Sequence, residues 1–261
     1  MLSRPRLASL AAFLLATLAV EPSRAQYRGG YECRSQPYPN EGKSAWPREF
    51  YYTRGIYQGT RCNNWTIDYP KSDRQFLMGV RRLIGHIDAY EMEHPVRLDD
   101  PNLRRYPFLY MVEVGHSDWT DQEAAALRSY IFAGGFVVVD DFWGTYEWED
   151  FESNIRKVLP EYKVVELPLD HPLFHMVYDI KEILQVPNVG NAQRGITYEK
   201  DGYVPHCRGI FDDQGRLLVV INWNTDLGDA WEWAENPYYP LKYSTFAYQM
   251  GINFIVYSMS H

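Results

Sequence analysis

A chain of 261 residues has room for one large domain, or for a domain with an elaborated end. Its formal net charge of −8, with no run of Lys and Arg, excludes the clustered basic surface that nucleic-acid binding requires. H-E-x-x-H, CxxC, G-x-S-x-G, Walker and G-x-G-x-x-G patterns are all absent, so no motif calls for zinc, for another metal or for a cofactor.

The chain opens with Arg4 and Arg6, continues through an apolar stretch from Leu7 to Val20, and reaches Ser23-Arg24-Ala25 before Gln26. That order predicts a signal peptide over residues 1–25, because the apolar core is shorter than the roughly 20 residues that span a bilayer. The expected location is therefore the periplasm or the cell exterior. No later segment is long and apolar enough to cross a membrane. Residues 26–48 are dense in Pro, Gly and Tyr without an apolar period and read as an extended arm; residues 49–261 read as the domain. In an oxidising compartment the three cysteines suggest one disulfide, Cys62–Cys207 in preference to Cys33–Cys62.

Within the domain, Phe50–Tyr57 reads as a strand, and Ser72–Ile84 puts Phe76, Leu77, Val80, Leu83 and Ile84 on one helical face, with Ser72 and Asp73 as N-cap candidates. Val96–Leu98 suggests a short strand, and Pro107–Val114 one buried on both faces. Thr120-Asp121-Gln122-Glu123 has the spacing of a capping box, and the helix it starts should stop at Gly134-Gly135. Phe136–Val139 is another apolar strand, followed by Asp140-Asp141. Phe151–Leu159 reads as a helix and Lys163–Leu167 as a strand. Alternation of this kind predicts a parallel α/β sheet with helices on both faces. A hairpin of Gly209–Phe211 and Leu217–Asn222, then a helix over Tyr243–Met259, should close the domain.

Ligands of an open parallel sheet gather outside the carboxyl ends of its strands. Arg54, Asp68, His116, Asp140 and Asp141 fall at or just beyond such ends and are the candidates for a site. Two adjacent carboxylates there need partners, a cation or water; one of them capping a helix or turn is the structural alternative. His116 could carry a proton, whereas the His171-Pro172 turn suggests packing. In Asn222–Tyr239 acids interleave with aromatics, a mixture suited to sugars or calcium and equally to a core, which adds Asn224, Asp226 and Trp231 to the candidates.

The segments YYTRGIYQG, WTIDYP, YPFLYMVEVGH, LRSYIFAGGFVVVDDFWG, LPLDHPLFHMVYDI and GINFIVYSMSH, taken in order, resemble the bacterial family catalogued as domain of unknown function 4159. HPLF is also similar to its counterpart in trehalose-utilisation proteins. The resemblance, over about residues 49–261, implies a flavodoxin-like fold of the class I glutamine amidotransferase type. In that type the turn after the FVVV strand carries a nucleophilic Cys; here it carries Asp140 and Asp141, which cannot form a thioester, so glutaminase activity is not expected.

The residues leave three readings open: a domain that binds a small or glycan-like ligand or an envelope protein, an Asp/His-dependent hydrolase with or without a metal, and a structural envelope protein. The leader makes one prediction of its own. Mass analysis of the exported protein should find Gln26 at its N-terminus, and an intact Met1 there would refute cleavage.

Overall fold

The structure is a computed structural model that describes residues 48–59 and 64–260. The segments expected to be a signal peptide and an extended arm lie wholly or almost wholly outside the described residues, as do Cys33 and Cys62. Seven strands form one sheet: β1 (Thr53–Ile56), β2 (His94–Arg97), β3 (Phe108–Val112), β4 (Phe136–Asp140), β5 (Val164–Glu166), β6 (His206–Phe211) and β7 (Leu217–Trp223). Their order is β2-β1-β3-β4-β7-β6-β5. β2, β1, β3, β4 and β7 are parallel, and β6 alone runs against its neighbours.

Strand alternation assigns the two faces. Tyr52, Tyr110, Val138 and Val220 point to α1 (Lys71–Leu83), α5 (Leu227–Glu232) and α6 (Leu241–Ser260). Leu109, Met111, Val137, Val139, Val219 and Ile221 point instead to α2 (Asp121–Phe132) and α3 (Gly144–Val158). A short helix, α4 (Val189–Gln193), lies in the long connection before β6. None of the helices among the described residues is long and apolar enough to cross a membrane.

The next strand in the chain after β4, β5, lies at the far edge of the sheet, and β7 occupies the place beside β4. Burial explains the exchange: β7 is apolar on both faces and almost wholly buried, as a central strand must be, whereas β5 is three residues long and half-exposed. α3 begins at Gly144, seven residues before the expected Phe151, because Glu147 turns back to accept the Trp143 N–H at 2.6 Å and so begins a helix where no capping pattern is written. Finally, α1 has no side-chain cap. Ser72 Oγ donates instead to the Gly228 carbonyl, and Asp73 binds Arg54. The capping box on α2 is present, with Thr120 and Glu123 satisfying each other's backbone N–H.

Cys207 is a free thiol on β6, fully buried in the core. The bond to Cys62 is thus not formed. Burial among apolar neighbours pushes the thiol well above its ordinary range, which makes it inert as a nucleophile.

Arg54, wholly buried on β1, ties the first strand to its helix. Its Nε donates to both Asp73 oxygens at 3.0 Å, and Nη1 donates to the carbonyls of Trp65 and Ile67 at 3.1 Å. Burial disfavours the charge, but Asp73 outweighs it and holds the guanidinium above its ordinary value. Replacing Asp73 by Ala leaves that cation buried without a counter-charge. The D73A variant should lose about 3–5 kcal/mol in urea titrations; a loss below about 1 kcal/mol would show that the pair is not what anchors α1.

Candidate functional site

The carboxyl ends of β1, β3, β4 and β7 lead into turns that share one backbone feature. Asp68, Glu113, Asp141 and Asn224 all have left-handed backbone, with φ of 61°, 56°, 53° and 59°. Asp and Asn tolerate this region because a short polar side chain bonds locally; Glu113 has no such excuse. Strain of this kind gathers where a side chain must be aimed. It aims several carboxylates at one place here.

Asp140 and Asp141 divide their labour. Asp140, the last residue of β4, is wholly buried; its Oδ2 accepts the Tyr110 hydroxyl at 2.7 Å and the Leu227 and Gly228 N–H groups at 3.0 and 3.1 Å. It therefore holds the start of α5 against β4. Asp141 turns the other way, and its Oδ1 accepts Trp143 Nε1 at 2.9 Å. One oxygen each from Asp68, Asp141 and Asp226 lie within 4.8 Å of one another. Asp226 also caps α5 by accepting the Asp229 N–H at 2.7 Å. Gly228 forms the floor: a Cβ there would sit 2.8 Å from Asp68 Oδ2 and 3.0 Å from the Tyr110 hydroxyl.

Beside this group lies a second. His116 Nε2 is 2.5 Å from Glu147 Oε1, and Lys200 also binds Glu147. Glu113 Oε2 lies 4.0 Å from His116 Nε2. Burial alone would raise Glu147, but its bonds from His116, Lys200 and the Trp143 N–H hold it below its ordinary value. Glu113 goes the other way: burial and then the Glu147 charge push it up to about 7. Two neighbouring carboxyls are thus set apart, one fixed as an anion and one poised near neutrality.

The chain matches the family described as Domain of unknown function (DUF4159) over residues 57–259, more than three quarters of its length. It belongs to that family. No curated protein matches it.

Every carboxylate of the site lies within the span matched to the DUF4159 family, whereas Arg54 precedes it. Of the residues picked from the sequence, Asp68, Asp141 and Asp226 converge, and His116 stands in the adjacent group. Arg54 is engaged by Asp73. Asn224 is a clamp: its Oδ1 accepts the Gly144 N–H at 2.8 Å and its Nδ2 donates to the Val204 carbonyl at 2.7 Å. Trp231 is in the core, stacked on Phe76 with ring centroids 4.2 Å apart. His171 caps the turn that begins at Pro172 by accepting the Leu173 N–H. Glu113, Glu147 and Lys200 were not among the candidates. Glu113 was readable only as the penultimate residue of a strand that in fact ends at Val112.

Burial pushes Asp140 and Asp229, like Glu113, up to about 7, against the pull of their backbone hydrogen bonds for the first two. An acid whose folded value is raised binds protons that the unfolded chain has already released, so its stabilisation is complete below about pH 4 and lost as pH rises through about 7. In EDTA the urea midpoint should therefore fall between pH 5 and pH 8. Asp140→Asn, which mimics the protonated side chain, should flatten that fall by roughly 1 kcal/mol or more; an unchanged slope would show that Asp140 does not titrate there.

Proposed function

We propose that this is an exported hydrolase of class I glutamine amidotransferase-like, flavodoxin-like architecture, acting on a small polar ligand such as a glycan with carboxylates in place of a thiol. The architecture is supported by the order of the parallel strands, which reverses between β1 and β3 and so opens a crevice at their carboxyl ends. The observation that carries the reading is the convergence of Asp68, Asp141 and Asp226 in that crevice, next to Glu113. In this reading the three aspartates bind the polar edge of the ligand. Glu113 moves the proton, since a carboxyl poised near neutrality both accepts and donates at working pH. Glu147, kept ionised by His116 and Lys200, holds Glu113 in that range.

Binding of a ligand or an envelope protein without turnover is the second reading, favoured by exposed apolar side chains such as Tyr238 just before α6 and Leu241 at its start. A panel of 4-nitrophenyl glycosides, esters and phosphates separates the two. One class should be turned over, Glu113→Gln should lower kcat by about 100-fold or more, and Asp141→Asn should mainly raise KM. Turnover of none of these classes by the intact chain would overturn the hydrolytic reading.

A further inference from the structure

Three acidic groups at the strand ends have carboxylate oxygens close enough to share a cation, and they differ in what already neutralises them. Glu113, His116 and Glu147 are joined by Lys200. In the group of Asp68, Asp229 and Glu232, Lys71 Nζ lies 3.5 Å from Glu232 Oε1. Asp68, Asp141 and Asp226 have no ion pair among the described residues.

Two further observations point to a missing partner for this third group. The Asp68 carboxylate accepts no hydrogen bond among the described residues, although its Oδ2 is completely enclosed. Asp141 is only 5% exposed, yet Oδ1 alone is bonded, to Trp143, and Oδ2 accepts no hydrogen bond among the described residues. Buried carboxylate oxygens left without donors are costly unless something positive meets them. No Lys or Arg side chain among the described residues fills this role, and Gly228 forms the floor where any Cβ would collide with Asp68.

We propose that Asp68, Asp141 and Asp226 form a binding site for a hard divalent cation, calcium in preference to magnesium. All three donors are carboxylate oxygens, the set that suits calcium, magnesium and manganese and not the softer metals. Coordination habit then selects among these, since magnesium demands near-ideal octahedral geometry and is usually held by one or two carboxylates, whereas this site brings three carboxylate oxygens from three separate strand-end turns within 4.8 Å of one another. Calcium also accepts irregular geometry and water as further ligands, as a site with three protein donors requires. The inference rests on the binding role given above to the three aspartates and not on proton transfer by Glu113.

The test uses terbium, a luminescent substitute for calcium, on the full chain after EDTA treatment. Trp143, bonded to Asp141, stands beside the site to sensitise emission. Terbium emission should rise to saturation at one equivalent and be displaced by calcium at lower concentration than by magnesium. Asp68→Asn should weaken binding at least tenfold without lowering the melting temperature of the metal-free protein, because Asp68 gives up no hydrogen bond and Asn tolerates its φ. Asp226→Asn should weaken it similarly. Glu113→Gln should bind terbium as the wild type does even where turnover is lost, so failure of the cation site and failure of the hydrolytic reading give different results. Absence of saturable, calcium-displaced emission in the wild type, or undiminished emission in Asp68→Asn, would overturn the proposal.

Discussion

Negative charge brought to the carboxyl end of a buried sheet must be matched, and the way each carboxylate is matched sorts this domain into scaffold and site. Asp73 has the fixed cation of Arg54, and Asp140 has a hydroxyl and two backbone N–H groups. Glu147 has a histidine and a lysine. Each of these joins two elements of the fold. Asp68 and Asp141 have no ion pair among the described residues, and both have left-handed backbone. Solvation decides the division, because a buried charge in a folded domain either has partners that also hold the structure together or waits for one that arrives from outside.

The scaffold depends on the site's architecture in turn. Asp140 fixes the first N–H groups of α5, and the same turn of chain carries Asp226 and Gly228 to within reach of Asp68. Ser72 on α1 bonds the Gly228 carbonyl, and Arg54 and Asp73 place α1 on β1. A single path of hydrogen bonds therefore runs from β1 through α1 to α5 and back to β4. It encloses the acidic group on the face of the sheet that Tyr52, Tyr110 and Trp231 fill with aromatic rings. Those rings raise the cost of every charge near them, since they displace water and, apart from the Tyr110 hydroxyl on Asp140, supply no donor among the described residues.

Much of this was legible from local pattern. PFLYMVEV and FVVV are runs that only a strand buried on both faces can use, the Thr120–Glu123 box names its own helix, and strand-end reasoning led to Asp68, Asp141 and His116. What was not legible depended on long-range pairing. Nothing near Leu217 announces that β7 will insert beside β4 and send β5 to the edge. Arg54 and Trp231 have the chemistry of ligand-binding residues, and only the identity of their neighbours, Asp73 and Phe76, shows them to be structural. Glu113 escaped because the strand ends one residue before it, and a left-handed Glu has no signature in sequence.

The turn after β4 carries a carboxylate whose two oxygens are engaged differently. A thiol there would act as a nucleophile and take up the substrate's acyl group as a thioester; a carboxylate in the same left-handed turn is a weak nucleophile, a good ligand for cations and a good hydrogen-bond acceptor from hydroxyls. Asp141 is held by Trp143 at one oxygen and left open at the other, which suits a ligand that stays bound through its polar edge and not one that becomes covalently attached. The only described cysteine, Cys207, is buried on β6 with its thiol well above the range in which it would ionise. The groups that the described residues bring together at these strand ends are carboxylates, with His116 and Lys200 beside them.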